Sequence, residues 1–256
     1  MTAPVALHHV TDGPADWPVL VLAGSLGSTL DMWQPQVGPL GERFRLLRLD
    51  HRGHGGSPVP PGPYRMADLA GDVVALLDQL GLDRVAWCGL SLGGMVGMYL
   101  ASEHPERISS LTLCCTTAYF PDKTPWQDRI AAVTDAGTAS IADAVVARWF
   151  TPDWAAAHPD VVADTTRMVT DTSDAGYLAC CQAIEVWDHR ARLPAITAPT
   201  LVIGGSADPS TPVEPHAKTL VTGIPHARME VLHAAHLATI ERAAEATPLI
   251  AANAGR

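Results

Sequence analysis

A chain of 256 residues with 47% hydrophobic and 17% charged side chains can bury a substantial core, which argues against intrinsic disorder. Its formal net charge of −10 disfavours nucleic acid or an anionic membrane surface as a partner, since both require a basic face, and no apolar run is long enough to span a bilayer. Residues 1–9 lack a basic stretch followed by a long apolar run, so the expectation is a cytoplasmic protein handling small molecules.

Short apolar runs bounded by turn residues recur along the chain. Residues 19–23 are ended by Gly24, and residues 44–49 are ended by Asp50. Residues 66–80 place Leu69, Val73, Leu76, Leu77 and Leu80 on one helical face, with Gly81 as the C-terminal cap. Next come a strand at 84–88, an almost wholly apolar helix at 92–104 stopped by Pro105, and a strand at 108–115. Late in the chain, runs at 200–203 and 228–232 precede a last helix at 237–252. Continuous apolar runs of this length read as buried strands of a parallel sheet, and their alternation with helices predicts an α/β fold with helices on both faces.

Residues 118–193 break that alternation. They carry Trp126, Trp149, Trp154 and Trp187 and read as several short helices without strands. A helical insertion between two strands would cap the carboxyl edge of the sheet, where ligands bind in such folds. The expected organisation is therefore a core of residues 1–117 and 194–256 with a helical cap of 118–193. The five cysteines, Cys88, Cys114, Cys115, Cys180 and Cys181, are odd in number and show neither CxxC nor zinc-like spacing. They read as free, mostly buried thiols in a reducing compartment.

The strongest chemical signal is Gly89-Leu90-Ser91-Leu92-Gly93-Gly94, between a strand and a helix. A serine there sits on a cramped turn that pushes its hydroxyl out at the sheet edge, and small neighbours make the turn possible. A helix-capping serine beside glycines is the simpler alternative. A serine hydroxyl needs a base at neutral pH, and after such a turn the acid and the histidine follow in that order. Asp208 follows the strand at 200–203 and His236 follows the strand at 228–232, each on a loop at the same edge. Asp208 could instead simply open the turn before Pro209, and His233 could be the base in place of His236. The stretch Thr116-Thr117-Ala118 offers no rival carboxylate. An oxyanion hole would use the backbone N–H groups of Leu92 and Leu26. The loop from Asp50 to Ser57 reads as structural, with Asp50 and Arg52 holding neighbouring loops, and His8, His9 and His104 as ordinary surface or capping residues.

The motif DxRGxGxS at Asp50–Ser57, the serine turn, and the late Asp and His resemble the α/β-hydrolase superfamily over nearly the whole chain. The likeness narrows to the 3-oxoadipate enol-lactonases through residues 25–33, 148–152, 176–184 and 236–241. The stretch Ile184-Glu185-Val186-Trp187-Asp188 departs from that family's usual charged stretch, and Gly24 replaces the histidine that many other superfamily members carry, a replacement less unusual within the lactonases. The resemblance implies hydrolysis of a small-molecule substrate, the enol-lactone that yields 3-oxoadipate in the β-ketoadipate pathway of aromatic catabolism, through Ser91, His236 and Asp208, without cofactor or metal. Broader carboxylesterase or perhydrolase activity, and a catalytically quiet ligand receptor, are the other readings. Trp126 and Arg129, three apart at the start of the first cap helix, share a helix face and resemble a Trp–Arg pair that would hold the lactone's carboxylate. A surface arginine beside a core tryptophan is the plainer alternative.

Overall fold

A computed structural model describes residues 2–255. Seven strands form one sheet: β1 (His9–Asp12), β2 (Val19–Ala23), β3 (Arg45–Leu49), β4 (Val85–Leu90), β5 (Ile108–Cys114), β6 (Thr200–Gly205) and β7 (Arg228–Leu232). Their spatial order is β1-β3-β2-β4-β5-β6-β7; β1 runs antiparallel to β3 and all other neighbours are parallel. Strand β1 is not visible as an apolar run, because its four residues are mostly polar and half-covered at the sheet edge. His9, expected at the plain surface, opens this strand. His8 is also more than a surface residue, because its Nδ1 lies 2.7 Å from Asp50 Oδ2.

The two faces of the sheet explain the apolar runs. In β2, Val21 and Ala23 join one buried cluster and Leu20 and Leu22 the other, so no position is left for a polar side chain. The first cluster includes Leu69, Val73 and Leu77 of α2 (Met66–Gln79) and Val96 and Leu100 of α3 (Leu92–Glu103). The second is closed by Leu40 of α1 (Gln34–Gly41) and Ile250 of the C-terminal helix. The expected single helix at 237–252 is in fact two, α10 (Ala238–Glu241) and α11 (Ala243–Ala254), broken at Arg242, where φ is −123° and ψ 45°. The break carries no glycine or proline. Arg242 instead donates from Nε to the His233 carbonyl at 2.8 Å, which anchors the loop ahead of it.

Between β5 and β6 the chain forms α4 (Thr124–Ala136), α5 (Ala142–Val146), α6 (Pro152–Ala157), α7 (Pro159–Asp171) and α8 (Asp174–Glu185). The stretch is not wholly without β structure, since an isolated bridge pairs Tyr119 with Asp188 and draws its two ends together. Helix α9 (Lys218–Gly223) then joins β6 to β7. All five cysteines are buried and free.

The loop after β3 ties these layers together. Asp50 accepts from the backbone N–H of Leu30 at 2.7 Å and of Gly56 at 3.0 Å, besides facing His8. Arg52, wholly buried, is bidentate to Asp72 of α2 at 2.5 and 2.6 Å, and its guanidinium lies 5.2 Å from the Tyr64 ring centre. Gly53 (φ 79°) approaches Gly176 so closely that a Cβ would stand 2.6 Å from the Gly176 Cα, so the loop meets α8 backbone to backbone. Removing one partner of a buried pair leaves the other charge uncompensated. Arg52→Leu is expected to lower the unfolding free energy by about 3–5 kcal/mol in urea titration, and a loss below about 1 kcal/mol would contradict this role.

Candidate active site

Strand β4 runs through Gly89 and Leu90, two residues further than its apolar run, so Ser91 follows the strand directly and Leu92 opens α3. Ser91 has φ 55° and ψ −110°, a conformation a side chain resists. Close backbone approach enforces it: a Cβ on Gly89 would meet the Gly93 carbonyl oxygen at 2.1 Å, and one on Gly93 the Ala23 carbonyl oxygen at 2.2 Å. The turn is pinned on three sides. Ser91 N–H donates to the Cys114 carbonyl at 2.9 Å, Gly93 N–H donates to the Gly24 carbonyl at 2.9 Å, and the Thr116 hydroxyl donates to the Ser91 carbonyl at 2.7 Å. These partners come from the ends of β2 and β5, so the sheet itself sets the angle at which the serine leaves it.

Asp208 and His236 sit on the loops after β6 and β7. Asp208 Oδ2 lies 2.8 Å from His236 Nδ1, and both side chains are buried. With Nδ1–H donating to the carboxylate, Nε2 is left to accept a proton. Burial works against the Asp208 charge, but the neighbouring His236, the Thr211 hydroxyl at 2.7 Å and the Ser210 N–H at 2.7 Å outweigh it and hold the carboxyl down to about 2. Asp208 also accepts from Thr211 N–H at 3.1 Å, so it shapes the Pro209 turn and meets His236 at once. His233 instead lies exposed, with its Nδ1 3.2 Å from the Ser206 hydroxyl and no carboxylate among its contacts in the described residues.

Ser91 and His236 line one cavity of about 170 Å³ with Ser25, Leu26, Trp126 and Arg129. The inserted helices thus lie over the serine turn, and the Trp126–Arg129 pair of α4 faces the same space. Arg129 stacks on Trp126 with its guanidinium 5.0 Å from the ring centre and donates to the Tyr177 hydroxyl at 3.4 Å. A larger groove of about 710 Å³ beside α7 shares no residue with this cavity.

Among the described residues, the N–H groups of Leu26 and Leu92 make no hydrogen bond to protein, whereas the amides around Leu26 are engaged. Ser25 N–H points to the Met32 sulfur at 3.4 Å, Ser28 N–H to the Ser25 carbonyl at 3.1 Å, and Gly27 N–H to His54 Nε2 at 2.9 Å. Sequence reasoning treated His54 as part of a structural loop and so missed this contact. Its Nδ1 donates to the Arg52 carbonyl at 3.2 Å, leaving Nε2 as the acceptor that fixes the Leu26 loop. Burial pushes the His54 pKa down, which keeps the ring neutral and able to accept. Glu241 also carries no role in the sequence reading. It accepts from Ala235 N–H at 3.0 Å, from the Thr151 hydroxyl at 2.5 Å and from Thr151 N–H at 3.2 Å, joining the His236 loop to the inserted helices. An acidic residue five positions after the histidine is the only signal that could have marked it. No group of three or more His, Cys, Asp or Glu among the described residues is arranged to hold a metal ion.

Comparison with known proteins places these features in context. Residues 18–243 match the family described as the alpha/beta hydrolase fold. The chain is 38% identical to 3-oxoadipate enol-lactonase 2 of Acinetobacter baylyi, over 93% of this chain and 89% of that one. It is 34% identical to a putative carbamate hydrolase, RutD, of Variovorax paradoxus, over 80% of each chain. Among solved structures, the enol-lactonase from Burkholderia xenovorans LB400 superposes with a TM-score of 0.96 at 38% identity, covering 98% of this chain and 97% of that one.

The Asp208 carboxyl titrates below its ordinary 3.8 in the folded chain, so its ionised form stabilises the fold above about pH 4, and that stabilisation is lost as pH falls toward 2. The stability difference between wild type and Asp208→Asn, measured by urea titration, should therefore shrink by about 2 kcal/mol between pH 4 and pH 2. A difference that stays flat over that interval would contradict the assigned contacts.

Proposed function

Because the chain belongs to the family of the alpha/beta hydrolase fold, we propose that it is a serine hydrolase that opens 3-oxoadipate enol-lactone, with Ser91 as nucleophile, His236 as general base and Asp208 as the acid that orients it. One observation carries this reading: the strained serine turn opens onto the same small cavity as the histidine of a buried His–Asp pair. The enol-lactonase relatives, alike over almost the full chain, support the choice of substrate. The small volume favours a compact acyl group. In this reading residues 118–193 act as the cap of a core made by 1–117 and 194–256.

Ser91 Oγ attacks the lactone carbonyl carbon while His236 Nε2 takes its proton, and the N–H groups of Leu26 and Leu92 receive the oxyanion. Collapse breaks the ring C–O bond. The leaving group is an enolate that stays tethered to the acyl chain, takes the proton back from His236 and tautomerises to the ketone. A water molecule, deprotonated by His236, then attacks the ester on Ser91; the serine recovers its proton and the keto acid leaves. Asp208 holds the histidine in the Nδ1–H tautomer and stabilises the imidazolium that forms twice in the cycle.

A second reading, hydrolysis of a small carbamate, is favoured by the relative from Variovorax paradoxus. Measuring kcat/KM for the enol-lactone, a small carbamate and a short p-nitrophenyl ester separates the readings. The proposal expects the lactone to be preferred, and preference for the carbamate would overturn it. A fluorophosphonate should label wild type at Ser91 and leave Ser91→Ala unlabelled. His236→Ala should lose nearly all turnover while His233→Ala keeps most of it, and the reverse pattern would reassign the base.

Arg129 and Trp126 extend the proposal to the lactone's free carboxylate. A guanidinium stacked on an indole beside the cavity supplies paired donors for that anion together with an apolar wall for the ring. Arg129→Ala should cost about 2–3 kcal/mol in kcat/KM on the lactone, the scale of a lost charged hydrogen bond, and leave a small neutral ester almost unaffected. Equal losses on the two substrates would remove Arg129 from the carboxylate site.

A further inference from the structure

The outer edge of β7 is the least covered part of the sheet. Strand β7 ends the strand order and pairs only with β6. Its residues Arg228, Met229, Glu230 and Val231 are all exposed, whereas its neighbour β6 and the central β4 are buried throughout. Met229 at 38% and Val231 at 46% are two of the four exposed large apolar side chains among the described residues. A bare edge presenting apolar side chains is a template for pairing with another strand. From this edge we infer that two copies of the chain associate about a two-fold axis by antiparallel pairing of β7 with β7, centred on Met229.

The register follows from geometry and charge. A two-fold axis perpendicular to a sheet keeps every side chain on its own face, so opposed residues of identical strands must be an even number apart. Only registers centred on a residue satisfy this. Centring on Arg228 sets two guanidinium groups opposite each other, and centring on Glu230 sets two carboxylates opposite each other. Centring on Met229 sets Arg228 of each copy against Glu230 of the other, Ala227 against Val231, and the two Met229 side chains together. The exposed apolar pair then covers itself on one face while opposite charges meet on the other.

Charges on an edge strand commonly keep copies apart, and a run of one sign does so. Here the signs alternate at positions two apart, which makes the edge complementary to itself in one register alone. The strand has only five residues, and ion pairs in solvent contribute little, so the association is concentration-dependent rather than permanent. The closed two-fold also uses up both β7 edges, whereas pairing of β7 with the opposite edge at β1 would repeat without end.

Sedimentation of the full chain from micromolar to submillimolar concentration tests this. The mass should rise from one chain toward two and stop there. Arg228→Glu and Glu230→Arg should each hold the chain at single mass across the range, because each puts like charges at all the facing charged positions. The double variant Arg228→Glu/Glu230→Arg should restore the wild-type rise. All three sites are exposed, and circular dichroism checks that each variant is folded; if a charge variant is not, Met229→Lys brings two ammonium groups together at the axis and should likewise give single chains. Wild type staying at single mass, single swaps that associate like wild type, a double swap that fails to restore association, or a series of masses beyond two chains would each overturn the inference.

Discussion

Everything at the carboxyl edge of this sheet is referred to one strained residue. Ser91 occupies a backbone conformation that costs on the order of 1–3 kcal/mol, and it does so because hydrogen bonds from the ends of β2 and β5 leave no alternative. The strain is bearable only where backbone passes backbone with no side chain between, which is why glycines stand at 89 and 93. Its effect is to separate the serine side chain from both the strand and the helix. The hydroxyl therefore reaches a cavity while the N–H of Leu92 stays free at the start of α3.

The other parts of the site are loops, and each is fastened by a group that performs no chemistry itself. His54 holds Gly27, and so leaves Leu26 N–H without a partner. The Ser210 and Thr211 N–H groups satisfy Asp208 Oδ1, and the Thr211 hydroxyl shares Oδ2 with His236. Glu241 links Ala235 to Thr151, and the Leu237 N–H donates to the Trp149 carbonyl at 2.9 Å. The last two contacts run from the histidine loop to the inserted helices. A displacement of those helices on ligand binding would thus reach His236 through hydrogen bonds rather than through the sheet.

What could be read from the chain was whatever burial writes into it. Runs such as Leu20-Val21-Leu22-Ala23 are apolar because both faces of the sheet are covered, and Ser91 and Asp208 stand out because each follows such a run. The strand before His236, expected to be buried like the others, is instead exposed at four of its five residues because it lies at the sheet edge. Strand β1 was not legible, since a four-residue edge strand needs no apolar pattern. The break at Arg242 was not legible either, because the Arg242–His233 contact imposes it from a distance while the local sequence continues to favour a helix. His54 and Glu241 escaped for a related reason: their partners, Gly27, Ala235 and Thr151, are brought to them only by the fold. The edge at β7 carries its information as alternating sign, which acquires meaning only once the strand is known to be last in the sheet.

In the proposed reaction the lactone is opened by forming an ester with Ser91. Rapid acid quenching during turnover of the enol-lactone, followed by peptide mass spectrometry, tests it most directly. Because the leaving group stays tethered, the account predicts an adduct of the full lactone mass on the peptide containing Ser91, present before steady state and gone when substrate is exhausted. An adduct on another residue, or full turnover with no adduct at any quench time, would contradict it.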